Sequence, residues 1–222
     1  MHLYIDSGDI AEIEQAAKTG LISGVTTNPT LISKSVHSGT FEQALKKICA
    51  IMRKYVKSFT VSAEVTAKDA KGMVREGVKL ARIDPAIIIK VPMTPEGMLA
   101  VQQFTKKKIR TNVTLIFSAN QALLAAKAGA FVVSPFMGRL DDIGQDSTEL
   151  IEDILTIFDN YDMRTMVLAA SIRTPRQVTE AALVGAHIAT LPATIFHKLY
   201  THPLTDQGIA AFDRDWEKFI SS

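Results

Sequence analysis

The 222-residue chain is 47% hydrophobic and 22% charged with a formal net charge of +2, a balance that supports a sizeable core, excludes a disordered polyelectrolyte and favours no nucleic-acid partner. A single cysteine, Cys49, rules out an internal disulfide and suits a reducing, cytoplasmic setting. No uninterrupted apolar run approaches the ~18 residues of a membrane span, and Asp6 stands where a signal peptide needs its apolar region.

In chain order, short β-branched runs alternate with amphipathic stretches. The run "LYID" (3–6) precedes the helical "AEIEQAAKTG", which closes on a glycine as a helix stop should. "GVTTN" (24–28) follows, then "NPTLISKS", where an extra helical turn is expected, and "QALKKICAIM", whose helical spacing puts Cys49 among core residues. The basic "RKYVK" (53–57) falls where that helix ends and reads as a solvated last turn rather than a nucleic-acid patch. "FTVSAEV" (59–65) and "AIIIKVP" (86–92) are the third and fourth runs. Thr94 and Pro95 then supply an N-cap and a first helical residue that needs no N–H, and "KKKIR" (106–110) ends that helix. After "NVTLIF" (112–117), Ser118 and Gln121 have capping-box spacing, and "AAKAGA" again carries a terminal glycine. "FVVSPF" (131–136) and "MVLAAS" (166–171) are separated by enough chain for a second extra helical turn. Thr174, Pro175 and Gln177 start another helix before the eighth run, "HIATLP" (187–192). The tail reads as an amphipathic helix over about 206–220.

Eight strand–helix units, with strand runs too continuous for a one-sided sheet, predict an α/β fold: a single (β/α)8 TIM barrel domain over 1–222 with an additional C-terminal helix. No Gly-x-Gly-x-x-Gly follows a strand, which argues against a dinucleotide-binding open sheet. Nor does a Pro-, Gly- or Ser-rich linker divide the chain.

Barrel enzymes carry their chemistry at the C-terminal rim of the strands. The polar residues there are Asp6, Thr27, Asn28, Glu64, Lys90, Asn112, Thr114, Ser134 and Ser171, expected to converge on one mouth. Each alone reads equally well as a cap or a satisfied polar group; together they read as a site. Lys90 sits behind three consecutive isoleucines in "IIIKVP". It can neutralise an anion, pair with Glu64, or act as a nucleophile. The last needs the neutral amine, and an apolar cradle that desolvates the ammonium lowers a lysine pKa from its usual value near 10.4 and permits Schiff-base formation. The flanking isoleucine and valine are read as that cradle, opposed by any nearby carboxylate. The five histidines end no strand and form no ligand-spaced pair, so no metal is expected. No Gly-x-Ser-x-Gly elbow marks a serine hydrolase.

"DSGD", "GVTTNPTLI", "SAEV", "IIIKVP", "NVTLIFS", "SPFMGR" and "LAASIRTPRQ" together resemble the transaldolase family, and particularly its short subfamily, which includes the fructose-6-phosphate aldolases. The likeness runs over nearly the whole chain in matching order. It implies a Schiff-base lysine on the fourth strand, Lys90, and no cofactor. Asp6 would take the proton of the substrate's C4 hydroxyl, and Glu64 would move protons through a water held with Thr114. Asn28 and Asn112 would bind hydroxyls of a three-carbon fragment. Ser134, Arg139, Ser171 and Arg173 would hold that fragment and a sugar phosphate, with arginine suited to the phosphate by its planar fork. Glu64 and Phe136 resemble the transaldolases, whereas the aldolases have Gln and Tyr at these positions. The resemblance also implies a homo-oligomer, pentamer or decamer, with the C-terminal helix reaching a neighbour. Aldol cleavage releasing free dihydroxyacetone, a non-catalytic sugar-phosphate-binding barrel, and a different Schiff-base barrel aldolase such as deoxyribose-phosphate aldolase stay open as alternatives.

Overall fold

The computed structural model describes residues 1–28, 30–31 and 39–221. Its centre is a closed parallel barrel of eight strands in sequential order: β1 (His2–Asp6), β2 (Ile22–Thr26), β3 (Thr60–Glu64), β4 (Ile87–Pro92), β5 (Thr111–Ile116), β6 (Val132–Pro135), β7 (Met166–Ala169) and β8 (Ile188–Leu191), with β8 pairing back onto β1. Around it run α1 (Ile10–Lys18), α2 (Phe41–Tyr55), α3 (Ala70–Ala81), α4 (Pro95–Lys106), α5 (Ala119–Ala128), α6 (Met137–Asp141), α7 (Ser147–Asn160), α8 (Pro175–Leu183) and α9 (Ala193–Lys198). A last helix, α10 (Pro203–Ile220), follows the eighth unit. Short α6 occupies the gap after the sixth strand, where an extra turn was expected; most of the other such segment, "NPTLISKS", lies outside the described residues.

Helix starts follow side-chain chemistry. Thr94 Oγ1 accepts from Gly97 N–H with Pro95 in the first turn, and Thr174 with Gln177 forms a complete capping box. At Ser118 only half of the expected box forms: Ser118 Oγ accepts from Gln121 N–H, but the Gln121 carboxamide oxygen accepts from Phe117 N–H instead. A further box at Thr40 and Gln43 starts α2. Gly129 ends α5 with φ +96°, the left-handed geometry that suits glycine.

Period-2 alternation splits the strands between two faces, an outer one against the helices and an inner one within the barrel. Ile87, Ile89 and Val91 belong to the large cluster between sheet and helices, together with Val25, Val61, Val113 and Val133. Ile88 faces the other way and joins Tyr4, Val132, Leu168, Ala170 and Ile188 in a smaller cluster inside the barrel. This inner cluster plugs the barrel below its C-terminal rim, and each fully buried aliphatic side chain contributes roughly 1.5–3 kcal/mol. The Tyr4 ring crosses β2 so closely that a Cβ at position 24 would come within 2.5 Å of it, which is why a glycine stands there. Cys49 is buried in α2, and burial pushes its thiol up to about 12, so it packs as a small hydrophobe.

Candidate active site

The alternation that buries Ile89 and Val91 against the helices puts Lys90, between them, inside the barrel. Its flanking isoleucine and valine therefore do not form the cradle expected of them; its apolar surroundings are the inner cluster beneath. Lys90 is 8% exposed, and its Nζ lies 3.1 Å from Glu64 Oε2, on the adjoining strand at the register position directly opposite. Lys90 and Glu64 thus form an ion pair inside the barrel.

Above the plug opens a cavity of about 860 Å³ whose wall includes Asp6, Asn28, Glu64, Lys90, Thr114, Ser134, Phe136, Arg139 and Ser171. Strands β1, β3, β4, β5 and β6 and the segments following β2, β6 and β7 deliver these groups to one mouth, as the alternation of units requires. Asp6 Oδ1 accepts a hydrogen bond from Thr26 Oγ1 at 2.8 Å. Burial pushes the Asp6 carboxyl above its ordinary value, opposed by the charge of Lys90 and the Thr26 hydrogen bond. A carboxylate poised in this way accepts a proton more readily than a surface aspartate. Thr114 Oγ1 is buried in the cavity wall with no hydrogen-bond partner among the described residues. Next to it β5 breaks register, and Leu115 sits at φ +62°, a left-handed conformation that a leucine adopts at a cost of about 1–3 kcal/mol.

Three residues are placed otherwise than expected. Asn112 is fully buried and is not part of the wall: its amide donates to Ser62 Oγ at 3.2 Å, and its carbonyl oxygen accepts from Ser134 Oγ at 2.6 Å. It holds Ser134 from beneath. Thr27 is also fully buried outside the wall, and the cavity-facing residue of the pair is Thr26, the parity partner of Gly24. Arg173 stands outside the wall with its guanidinium on the Asp142 carboxylate at 2.5 Å, whereas Arg139 lines the mouth with its guanidinium 5.0 Å from the Phe136 ring centroid. The segments carrying these two arginines are clamped together. Gly138 N–H donates to the Ser171 carbonyl at 3.1 Å, and Gln177 bonds Asp141 while its oxygen accepts from Arg173 N–H.

Residues overlooked in the sequence also line the cavity: Thr26, Lys68, Leu115 and Thr190. Parity counted from Gly24 identifies Thr26, and Thr190 is the one hydroxyl of the eighth strand. Among the described residues no group of three or more His, Cys, Asp or Glu is arranged to hold a metal ion, and no helix is long and apolar enough to cross a membrane.

The barrel is shared widely. The thiamine phosphate pyrophosphorylase of Pyrococcus furiosus superposes with a TM-score of 0.62 over 86% of this chain and 85% of its own, at 13% identity, a likeness of fold alone. Sequence comparison is far more specific. A probable transaldolase of Geobacillus thermodenitrificans is 53% identical over 218 residues, covering 98% of this chain and 99% of that protein. One of Desulfotalea psychrophila is 54% identical with the same coverage. The family model described as Transaldolase/Fructose-6-phosphate aldolase matches residues 3–222, and the chain belongs to that family.

Proposed function

We propose that the protein is a transaldolase that moves a dihydroxyacetone unit between sugar phosphates through a Schiff base on Lys90. The observation that carries this reading is the Lys90–Glu64 pair, set at the floor of an open cavity with Asp6 in the same wall. Donors are ketose phosphates, fructose 6-phosphate and sedoheptulose 7-phosphate; acceptors are erythrose 4-phosphate and glyceraldehyde 3-phosphate.

Glu64 takes a proton from the Lys90 ammonium, and the freed amine attacks the C2 ketone. A carbinolamine forms and loses water, with Glu64 moving protons through a water that Thr114 Oγ1 helps to hold. The resulting iminium draws electrons from the C3–C4 bond as Asp6 accepts the C4 hydroxyl proton, and the aldose phosphate departs. The enamine then attacks the carbonyl of a new aldose phosphate while Asp6 returns the proton, and hydrolysis of the iminium restores Lys90. Arg139, with Ser171, binds the phosphate. Because the lysine is the electron sink, no cofactor is needed.

This activity belongs to the non-oxidative pentose phosphate pathway in the cytoplasm. We place the enzyme in a homo-oligomer, pentamer or decamer, in which the outward apolar face of α10 meets a neighbouring subunit.

Two measurements test the catalytic reading. Fructose 6-phosphate should turn over appreciably only when erythrose 4-phosphate is present, and borohydride with fructose 6-phosphate alone should leave a reduced adduct on Lys90. Equal turnover without acceptor identifies an aldolase, and the absence of an adduct overturns the Schiff base.

A further inference from the structure

Asp6 accepts a hydrogen bond from Thr26 on one flanking strand, and Thr26 in turn meets Thr190 on the other. Strand β1 pairs with β2 on one side and β8 on the other, so barrel closure brings Thr26 and Thr190 together although 164 residues separate them. Thr26 Oγ1 lies 2.8 Å from Asp6 Oδ1 and 2.6 Å from Thr190 Oγ1, and both threonines are 3% exposed.

A hydroxyl has one hydrogen to give, and an ionised carboxylate can only accept. With Asp6 ionised, the Thr26 hydrogen is committed to Asp6 Oδ1, so the 2.6 Å contact requires Thr190 to be the donor. The order is then Thr190 to Thr26 to Asp6. When Asp6 takes up a proton on Oδ1 the order reverses by rotation of two hydroxyls: Asp6 donates to Thr26, and Thr26 to Thr190. No proton leaves the three residues.

We propose that Thr190 is a positioning residue for Asp6, acting through Thr26: it polarises the Thr26 hydroxyl toward the carboxylate and accepts from it once Asp6 is protonated. The inference rests on the reading of Asp6 as the base of carbon–carbon cleavage. Hydrogen bonds to a charged acceptor are roughly twice as strong as neutral ones, so the chain favours the ionised form overall. It acts in the same direction as the charge of Lys90 and against the burial that raises the Asp6 value. Strands β2 and β8 have no ionisable side chain, and at the start of α1 Asp9 caps the helix while Glu12 accepts from Ser7 Oγ at 2.6 Å. Across the cavity the ionisable groups are Glu64 and Lys90 in the wall and Lys68 and Arg139 at the mouth.

The test is the pH profile of kcat for transfer from fructose 6-phosphate to erythrose 4-phosphate in Thr190→Val, which keeps the β-branched shape, and Thr190→Ser, which keeps the hydroxyl. Thr190→Val should move the acid limb upward by ~0.5 pH unit, which is roughly a threefold loss of rate at a fixed pH on that limb. Thr190→Ser should restore the wild-type limb, and both variants should trap the borohydride adduct on Lys90 as wild type does. An acid limb in Thr190→Val that is unmoved or shifted downward, or a Thr190→Ser profile no different from that of Thr190→Val, overturns the relay. Absence of an adduct in the wild type itself overturns the underlying Schiff-base reading and the relay with it.

Discussion

Lys90 Nζ lies 3.1 Å from Glu64 Oε2, and the two residues face each other across adjacent strands at one register position. On the proposed mechanism the pair links nucleophile and proton acceptor, and because the two face each other across adjacent strands its geometry is set by the sheet itself. Glu64→Gln keeps the shape and a hydrogen-bonding oxygen but removes the base. We expect kcat for transfer to fall roughly 100-fold, at the low end of what a positioned acid–base group contributes. Adduct trapping should slow in parallel while circular dichroism is unchanged. A variant that traps the adduct at the wild-type rate would show that another group deprotonates Lys90.

Asp6 predicts a trade between stability and activity. Burial holds its folded value above that of the unfolded chain. Between the two values the folded state binds more protons, so stability falls as pH rises through that window, and the cost is fully present above it. Asp6→Asn, whose oxygen can still accept from Thr26, should therefore unfold at a higher temperature than wild type at pH 7. The difference should vanish below the ordinary carboxylate range. Carbon–carbon cleavage should be lost in the same variant. A variant less stable than wild type at pH 7 would mean that attraction to Lys90 outweighs the burial cost.

Strand–helix alternation was legible because the β-branched runs are largely buried and most of the helices open with a side-chain cap, as at Thr94 and Thr174, although the helices directly after β6 and β8 have none. Which face each residue takes was harder to read. In "IIIKVP" the residues adjacent to Lys90 in sequence lie on the opposite face of the sheet, so the eye groups side chains that the strand separates. The same parity distinguishes Thr26 from Thr27. Asn112 carries no local sign of its burial, because Ser62 and Ser134 reach it from the strands on either side of its neighbourhood. Contacts such as Thr26 with Thr190 depend on barrel closure, which no window of sequence contains, and the Arg173–Asp142 pair depends on how α6 docks against the segment after β7.

On the proposed mechanism, Phe136 bears on the fate of the enamine. Its ring lines the cavity and meets Phe117 edge-on at 5.5 Å between centroids, an apolar surface with no hydroxyl to order water or deliver a proton. Phe136→Tyr should raise aldol cleavage relative to transfer by about 10-fold, the effect of roughly 1.4 kcal/mol, or one hydrogen bond, on the protonation step. The ratio of dihydroxyacetone released to acceptor consumed measures it. An unchanged ratio would place the partition between the two reactions elsewhere.

Gly138 is the contact that docks α6, and with it Arg139, against the segment after β7. A Cβ there would stand 2.1 Å from the Ser171 carbonyl oxygen and 2.9 Å from Arg173 Nε, and neither can withdraw without moving backbone or the ion pair with Asp142. Gly138→Ala should cost ~1–3 kcal/mol, the usual range for overpacking. Displacing α6 also displaces Arg139, so KM for fructose 6-phosphate should rise more than kcat falls. A variant with wild-type KM and melting temperature would show that α6 docks without this close approach.

The apolar face of α10 is left uncovered by the rest of the subunit. Leu204, Ile209, Phe212, Trp216 and Phe219 recur at helical spacing, the helix buries none of its residues, and Phe212 and Trp216 are 76% and 63% exposed. Trp216 and Phe219 stack on each other at 5.7 Å, which leaves a broad aromatic surface facing outward. Each such ring removes about 150–250 Å² from water when covered, so a few of them supply much of the ~1,000 Å² that a stable interface needs. Charging the face should reverse assembly: Phe212→Asp with Trp216→Asp is expected to shift the mass seen by light scattering from oligomer to monomer at micromolar concentration. The substitutions lie far from Lys90 in the chain and outside the cavity wall, so borohydride should still trap an adduct on the dissociated subunit. A wild-type protein that is already monomeric, or a charged variant that keeps the oligomer mass, would remove α10 from the interface.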